Sequence, residues 1–275
     1  MPSSKTVVII TGCSKGGIGF ALCEEFAARG CIVYATARRM EAMEGFRNSN
    51  ICTLALDVTK DESVQSVVKT VIEREGQIDV IVNNAGLGHT GPVVDTDMEE
   101  ITRVFDTNLF SVIRTSKAVI PHMAARKSGT IVNVGSIFGE IPVPWGGIYS
   151  SSKAALHSLS ETLYMECKPF NIHVVLLAPG GVRSNIVTNQ SGPERLKFPA
   201  TSLYADYVDS ILTKLTASQR GHPTPADAFA KQVVGAVLKP HPPRYMTLAR
   251  MSGVYWAFTW LPRTWVLNLL WRILG

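Results

Sequence analysis

The chain has 275 residues, a formal net charge of +5 from 27 basic and 22 acidic side chains, and 46% hydrophobic residues. This apolar fraction is sufficient for a packed core, and a charged fraction of 18% excludes a disordered tether. Five scattered cysteines without a CxxC pair favour a reducing compartment. A strand-like segment begins at Thr6, so we expect no secretory signal before the fold.

The excess of basic residues lies at the C-terminal end. Residues 244–275 contain four arginines and neither lysine nor acid, which leaves 23 basic and 22 acidic side chains in the rest. That nearly neutral body carries no basic stripe interleaved with aromatic residues, so no nucleic-acid partner is expected. The six histidines show no metal-ligand spacing, and no metal site is expected.

Apolar, β-branched segments alternate with segments of helical periodicity. The predicted strands are residues 6–10, 31–36, 51–56, 78–82, 130–134, 172–177 and 245–248. The predicted helices are residues 18–29, 62–75, 97–127 and 149–167. Near-continuous apolar strands are typical of a sheet buried on both faces. The sequence therefore predicts one α/β domain over residues 1–248, with a doubly wound parallel sheet of the Rossmann type.

Two stretches interrupt this alternation. Residues 185–225 are polar and irregular, and we interpret them as a substrate loop or lid over the mouth of the sheet. Within them a helix is predicted at about 203–215, and another begins with Thr224 as its cap and Pro225 as its first residue.

The second stretch, residues 249–275, is an apolar tail that holds four of the five tryptophans. Neither half of it reaches the roughly 20 apolar residues that span a bilayer. Aromatic and arginine-rich apolar segments suit the headgroup region, which predicts peripheral contact with a membrane or lipid droplet. Packing on the body or on a partner subunit, closing the substrate pocket, is the alternative.

A glycine-rich loop follows the first predicted strand and leads into a helix. Its glycines allow close approach to a pyrophosphate at the positive end of that helix, although an ordinary strand-to-helix turn would also contain them. Arg38 and Arg39 stand where an NAD site places an acid. Guanidinium groups attract a 2′-phosphate, and Lys15 would add a second charge, which favours NADP(H) unless the arginines only cap the strand in solvent. The candidate residues of the loop are Gly12, Ser14, Lys15, Gly17, Ile18 and Gly19.

A second cluster carries acid–base chemistry. Tyr149 and Lys153 are four residues apart on a predicted helix and therefore share a face. A nearby ammonium would lower the pKa of the phenol from its usual value near 10, which would make Tyr149 a usable proton donor. A YxxxK pair alone is more often a surface pair. Ser136, which follows a predicted strand, adds a hydroxyl that could hold a carbonyl oxygen beside the phenol.

With these motifs the sequence resembles the short-chain dehydrogenase/reductase family over about residues 6–248. The resemblance implies hydride transfer between a nicotinamide and a carbonyl carbon, with Tyr149 as the acid and Ser136 orienting the carbonyl. It implies that Lys153 lowers the phenol pKa and binds the nicotinamide ribose, and that Asn108 holds a relay water, with a helix kink as its alternative role. Its matching motifs are Gly12, Gly17 and Gly19; Asp57-Val58; Asn83-Asn84-Ala85-Gly86; Asn108; Ser136, Tyr149 and Lys153; and Pro179-Gly180.

Two departures accompany the resemblance. The glycine loop is one residue longer than the commonest pattern, and Ser184 stands where a threonine often contacts the nicotinamide amide. Neither removes a group that the chemistry needs. The cofactor contacts implied by the resemblance are Gly12, Ser14, Lys15, Gly17, Ile18, Gly19, Arg38, Arg39, Asp57, Val58, Asn84, Ala85, Gly86, Tyr149, Lys153, Pro179, Gly180, Val182 and Ser184.

The resemblance implies an NADPH-dependent reductase that forms a homo-oligomer through its two long helices. Within the family the sequence looks most like the fungal 1-acyldihydroxyacetone-phosphate reductases, which would place it on the cytoplasmic side, peripheral to the endoplasmic reticulum or lipid droplets. Arg183, Arg195 or Lys197 would then meet the substrate phosphate, unless they are solvated loop charges. Reduction of a neutral steroid, retinoid or secondary-metabolite ketone is the alternative. A scaffold without turnover is disfavoured, because the catalytic set is intact.

Overall fold

The computed structural model describes residues 5–184, 201–216, 219 and 221–275. Part of the predicted substrate loop lies outside the described residues, and so do Arg195 and Lys197.

Seven parallel strands form one sheet in the order β3-β2-β1-β4-β5-β6-β7. The predicted doubly wound parallel sheet is confirmed, and every predicted strand boundary lies within two residues of the observed one. Because the order reverses between β1 and β4, a ligand crevice is expected outside the carboxyl ends of these strands. The strands are β1 (Val7–Thr11), β2 (Ile32–Ala37), β3 (Ile51–Ala55), β4 (Val80–Asn83), β5 (Gly129–Val134), β6 (Ile172–Pro179) and β7 (Tyr245–Leu248).

Helices cover both faces of the sheet. Successive side chains of a strand point to opposite faces, so Val8 packs in one core cluster with Phe229, and Val7 packs in the other with Val119. The α-helices are α1 (Ile18–Ala28), α2 (Asp61–Glu75), α3 (Met98–Phe105), α4 (Ser111–Arg126), α5 (Ile137–Glu140), α6 (Gly147–Glu166), α7 (Val208–Thr216), α8 (Ala226–Val237), α9 (Ser252–Phe258) and α10 (Arg263–Leu274). Short 3₁₀ turns occupy Met40–Met43, Val93–Asp95, Lys168–Phe170 and Ala205–Tyr207.

Two helix predictions need correction. The helix predicted over 97–127 is divided into α3 and α4 by a π turn at Asp106–Phe110. The predicted cap Thr224 instead lies in an isolated bridge, because its backbone N–H donates to Gly181 and its carbonyl accepts from Arg183. Pro225 is therefore the N-cap residue of α8 and not its first residue.

The apolar tail folds into α9 and α10 and packs on the body, as in the second of the two alternatives for it. Tyr255, Val266 and Leu270 are buried in a cluster with Ile137 and Ile141. The C-terminal end is also tied down, since the Trp145 ring N–H donates to the carbonyl of Leu274 at 3.0 Å and Ser210 Oγ donates to that of Gly275 at 3.0 Å. Among the described residues, no helix has both the length and the apolarity to span a membrane.

Candidate active site

A cavity of about 900 Å³ lies at the carboxyl ends of the parallel strands. Arg38 and Arg39, just after β2, line it on one side of the sheet. Tail residues, among them Tyr255 and Leu270, line it as well. Most predicted site residues border this cavity: Gly12, Ser14, Gly17, Ile18, Arg38, Arg39, Asp57, Val58, Asn84, Ala85, Gly86, Ser136, Tyr149, Lys153, Pro179, Gly180, Val182 and Ser184.

Three predicted site residues do not line the cavity. The exposed Lys15 side chain lies over Gly45, where a Cβ would be 3.3 Å from Nζ. Gly19 lies behind the glycine loop, and a Cβ there would be 2.6 Å from both Asn84 Nδ2 and the carbonyl oxygen of Gly12. Its role is therefore to let α1 pack closely on the loop. Asn108, the third, is buried beneath the site.

The glycine loop and the start of α1 suit an anionic group. Gly17 is the N-cap of α1 and has no side chain that could accept from the first N–H groups of the helix. Such donors bind phosphate. The loop itself is held by β4, because Asn84 Nδ2 donates to the carbonyls of Thr11 at 2.8 Å and Gly12 at 3.0 Å. These residues fit the pyrophosphate of a dinucleotide, and Asn84 acts by holding the loop.

The end of the cavity near β2 is positively charged. Arg38 and Arg39 are exposed there, and the one carboxylate among the described lining residues is Asp57. Burial favours a raised pKa for Asp57, but hydrogen bonds from the N–H and hydroxyl of Thr59, with the charge of Arg38, lower it on balance. Asp57 therefore stays ionised beside Arg38, and Arg39 Nε lies 4.0 Å from the exposed Glu41 carboxylate.

Ser136 and Tyr149 meet at the catalytic end. Ser136 ends the loop after β5 and caps α5, where its Oγ accepts from the N–H of Phe138 at 3.2 Å. Burial raises the pKa of Tyr149, and a hydrogen bond with Ser136 opposes the rise. The phenol thus stays protonated at neutral pH, with its oxygen next to the serine hydroxyl.

Lys153 lies one turn further along α6. Its Nζ donates to the carbonyl of Val134 at 2.7 Å and lies 5.9 Å from the centroid of the Tyr149 ring. Burial lowers the pKa of Lys153 to about 8. A Cβ on Gly86 would be 3.6 Å from Nζ, so the glycine keeps space open in front of the ammonium.

The pKa of Tyr149 is raised in the protein alone and not lowered as the sequence predicts, because burial outweighs the hydrogen bond with Ser136. The lowering effect assigned to Lys153 stays a prediction. Burial acts on both groups, and it raises the pKa of the phenol while it lowers that of the ammonium. The lysine charge becomes useful when proton transfer creates a phenolate at neutral pH.

Asn108 lies in the π turn between α3 and α4 and is 1% exposed. Its Oδ1 accepts from the N–H of Leu87 at 2.7 Å, and its Nδ2 donates to the carbonyl of Leu87 at 2.8 Å and to Ser152 Oγ at 2.9 Å. Ser152 in turn donates to the carbonyl of Tyr149 at 2.7 Å. Asn108 thus joins the loop after β4 to the first turn of α6. The predicted relay water stays a prediction.

Sequence reasoning missed a polar pair behind Ser136. His157 Nε2 lies 3.3 Å from the N–H of Ser136 and accepts from it, and His157 Nδ1 lies 3.1 Å from Glu140 Oε1. The glycines at 135 and 139 make room for this imidazole. The sequence held a signal for this contact: His157 lies in a predicted helix, and glycines flank the catalytic serine closely enough to admit its ring. The pair fixes the loop that carries Ser136.

Of the residues proposed to meet a substrate phosphate, Arg183 is exposed and does not line the cavity. Lys214, which the sequence did not single out, does line it. Its position between the apolar Ile211 and Leu215 on one helix was the missed signal.

Comparison with known proteins identifies the family. The model for short chain dehydrogenase matches residues 6–195. A short-chain dehydrogenase of Penicillium crustosum is 36% identical over 261 residues, which cover 94% of each chain. An NADPH-dependent 1-acyldihydroxyacetone phosphate reductase of Schizosaccharomyces pombe is 40% identical over 207 residues, or 74% of this chain and 70% of that one. The crystal structure of a short-chain dehydrogenase from Streptomyces avermitilis is 31% identical, with a TM-score of 0.81 over 92% of each chain.

A parallel Rossmann-type sheet with a Ser, Tyr and Lys site at its carboxyl edge defines an oxidoreductase. The chain belongs to the short-chain dehydrogenase/reductase family. The resemblance found in the sequence is thereby confirmed, and the chain is an enzyme of this class and not a scaffold.

Proposed function

We propose that this enzyme is an NADPH-dependent reductase that transfers hydride to the ketone of a lipophilic substrate. One observation carries the proposal: a single cavity is bordered by two arginines after β2, by the catalytic side chains, and by apolar residues of α9 and α10. Bound NADPH supplies the hydride, and the protein supplies orientation and the proton.

The proton is held on Tyr149. Because burial raises the pKa of this phenol, it carries its proton at neutral pH and can donate it to a carbonyl oxygen that becomes an alkoxide. The Ser136 hydroxyl, next to the phenol, holds the same oxygen by a hydrogen bond. The pair thus stabilises and then neutralises the developing negative charge.

Lys153 supplies positive charge when the phenol gives up its proton. Burial lowers the pKa of Lys153 to about 8, so the charged ammonium is still the main form at neutral pH. Its hydrogen bond to Val134 holds Nζ near the phenol ring. Binding of the nicotinamide ribose by Lys153 remains part of the proposal.

Changing Tyr149 to phenylalanine removes the proposed acid with little change in shape. We expect NADPH oxidation, followed by absorbance, to fall by at least about a hundredfold, the usual contribution of general acid catalysis. Binding of NADPH, followed by fluorescence, should survive. An unchanged rate would contradict the role assigned to Tyr149.

Preference for NADPH rests on Arg38 and Arg39. Their guanidinium groups suit a 2′-phosphate, and the S. pombe relative is named as NADPH-dependent. Replacing both arginines by serine should weaken the binding of NADPH much more than the binding of NADH. An equal loss for both cofactors would mean that the arginines only stabilise the end of β2.

For the substrate, 1-acyldihydroxyacetone phosphate is the first candidate. It is the substrate named for the S. pombe relative, and the apolar wall of Tyr255, Phe258, Leu270 and Ile273 suits an acyl chain. The same wall favours a neutral lipophilic ketone as the second candidate. The test is NADPH oxidation with the acyl phosphate, a ketosteroid, retinal and polyketide-like ketones, with NADH in parallel. If the enzyme prefers a neutral ketone, the proposed reductase activity stands and 1-acyldihydroxyacetone phosphate is excluded as the substrate.

We also propose that the tail contacts a lipid surface with anionic headgroups, at the cytoplasmic face of the endoplasmic reticulum or of lipid droplets. Support comes from the outward side of α9, α10 and their connection, where Trp256, Trp260 and Trp265 are 59%, 75% and 73% exposed. The tail has arginines and no acidic residue, which complements an anionic surface. The inward side of the same helices lines the cavity, so a lipophilic substrate would enter from the lipid.

The lipid contact requires a test that leaves the pocket intact. Deleting the tail would remove Tyr255, Val266 and Leu270 from the core, so we replace the outward Trp256, Trp260 and Trp265 by serine. Flotation with vesicles containing phosphatidylserine should then be lost while activity on a water-soluble ketone is kept. A control variant changes exposed apolar residues outside the tail, Met165 and Phe170, to serine; neither lines a cavity that the tail borders. Equal flotation of the tail variant and the native enzyme would refute the contact.

A homo-oligomer is the remaining part of the proposal. Its support is the family, whose members commonly pair through long helices, and the exposure of Phe110 and Ile113 at the start of α4. Light scattering on a sizing column gives the molar mass of the enzyme in solution. A monomeric mass at all concentrations would refute the homo-oligomer.

A further inference from the structure

Lys214 has an unusual position on α7. Ile211 and Leu215 are buried on the same side of this helix, and Lys214 lies beside them and lines the cavity. A lysine on a surface helix ordinarily faces solvent, where its charge is hydrated. Here the apolar face of α7 directs the side chain into the space that the tail encloses.

The surroundings of Lys214 are apolar or positive. Its Nζ lies 4.4 Å from the centroid of the Phe138 ring. Its Cε lies 3.5 Å from the point where Gly146 would carry a Cβ, and Gly146 caps α6 without a side-chain hydrogen bond. The positive end of α6 and the ammonium are thus neighbours.

No carboxylate of the described residues lies within ion-pair distance of Lys214, although the C-terminal Gly275 accepts from Ser210 one turn earlier on α7. Asp57 is the one acidic residue among the described residues of the cavity wall, and it lies after β3, held by Thr59. Within the described part of the chain, no ion pair is found for Lys214. Burial lowers its pKa to about 8, which is the expected cost of enclosing an ammonium without a counter-ion.

The position of Lys214 relative to the catalytic side chains limits where an anion bound to it would lie. Phe138, under the ammonium, donates its N–H to Ser136. Gly146 precedes Tyr149 by three residues, a rise of about 4.5 Å along a helix. Lys214 therefore lies against residues next to both groups that would hold the ketone oxygen.

We infer that Lys214 binds an anionic group of the substrate, a phosphate or carboxylate that lies close to the ketone. This inference rests on the proposed function for the identity of the ketone, but not for the binding of the anion. It assigns the anion to the wall of α7 and replaces the exposed Arg183 in that role. The acyl chain of the substrate would extend along the apolar tail residues of the same cavity.

The binding of anionic and uncharged ligands to the native enzyme and to Lys214 variants tests this inference directly. The probes are decyl phosphate, decanoate and uncharged decanol, titrated by calorimetry into the NADP⁺-saturated enzyme below their micelle concentrations. In Lys214→Met we expect the affinity for both anions to fall by about tenfold or more, with decanol unchanged. Lys214→Arg should retain most of the affinity. The ratio of the two anions in the native enzyme shows whether phosphate or carboxylate is preferred.

A matched control comes from Lys168, an exposed lysine whose Nζ lies 4.9 Å from the centroid of the Tyr164 ring. Lys168→Met removes the same charge over an aromatic ring and should change none of the three affinities. Equal losses for the anions and decanol in Lys214→Met, or equal anion losses in both methionine variants, would overturn the assignment. Unchanged anion binding in Lys214→Met would do so as well.

An activity arm separates this inference from the proposed function. With 1-acyldihydroxyacetone phosphate and its dephosphorylated counterpart, Lys214→Met should lower kcat/KM for the phosphate alone. If neither ketone is reduced by any form of the enzyme while anion binding depends on Lys214, the proposed substrate fails and the anion site stands. If both are reduced equally well by the native enzyme and by Lys214→Met, the anion site fails and the reductase stands.

Discussion

Gly12 offers a quantitative test of how the glycine loop is built. It has a φ of +73°, and a Cβ there would lie 2.8 Å from the Cα of Ala85 and 3.2 Å from Asn84 Nδ2. Gly30 has a similar φ of +85°, yet a Cβ there meets nothing within 4 Å. The two glycines therefore share the backbone conformation but differ in the contact.

The magnitudes follow from that difference. Placing alanine in the left-handed region costs about 1–2 kcal/mol, which applies to Gly12→Ala and to Gly30→Ala alike. At Gly12 the contacted atom is backbone and cannot rotate away, so overpacking adds about 1–3 kcal/mol. We expect the free energy of unfolding to fall by about 2–5 kcal/mol in Gly12→Ala and by about 1–2 kcal/mol in Gly30→Ala.

The contact also predicts a functional difference. Ala85 and Asn84 line the cavity. A displaced loop should therefore lower the affinity for NADPH in Gly12→Ala, whereas Gly30→Ala should bind NADPH as the native enzyme does. Urea denaturation followed by tryptophan fluorescence gives the stabilities, and fluorescence titration gives the NADPH affinity. Equal losses of stability in the two variants, or full NADPH affinity in Gly12→Ala, would refute the reasoning.

Two further predictions concern hydrogen-bonded polar side chains, one at the surface and one in the core. A hydrogen bond with His157 lowers the pKa of Glu140 below 4.5, so its stabilising effect is complete above that pH and is lost as the pH falls through the lowered value. The stability difference between the native enzyme and Glu140→Gln should therefore be largest at neutral pH in urea denaturation and shrink in acid; a constant difference would exclude the linkage. Asn133 is fully buried, accepts from Asn83 at 2.8 Å and donates to Ser160 at 2.9 Å. Asn133→Leu should lower the free energy of unfolding by at least about 2 kcal/mol, because a buried amide donor loses its acceptor, and a loss close to zero would argue against that cost.

The sheet and the main catalytic positions could be predicted because their signals are local. Each strand is a short apolar segment bounded by turn residues, and parallel strands bring their carboxyl ends to one edge. Residues directly after strands, such as Arg38 after β2 and Ser136 after β5, then meet in one crevice. The proximity of Tyr149 and Lys153 could also be predicted locally, because residues four apart on a helix lie on the same face.

Other features depend on neighbours that are distant in the sequence. The net direction of the Tyr149 pKa could not be predicted, because four-residue spacing gives only the proximity of Lys153, whereas the pKa also depends on burial by the surrounding elements. The π turn at Asn108 is set by its hydrogen bonds to Leu87, which follows another strand. Lys214 could not be assigned to the cavity, because that position requires the packing of α7 beside α6 and the tail.

The tail illustrates why the two alternatives for it were not separable in the sequence. Periodicity assigns a buried face only when the other face is polar, and here both faces are apolar. The structure divides them: Tyr255 and Leu270 face the body, while Trp256 and Trp265 face outward. Packing on the protein therefore does not compete with lipid contact for the same side chains. The two can operate together, and only substitutions confined to the outward face can distinguish lipid contact from a purely structural lid.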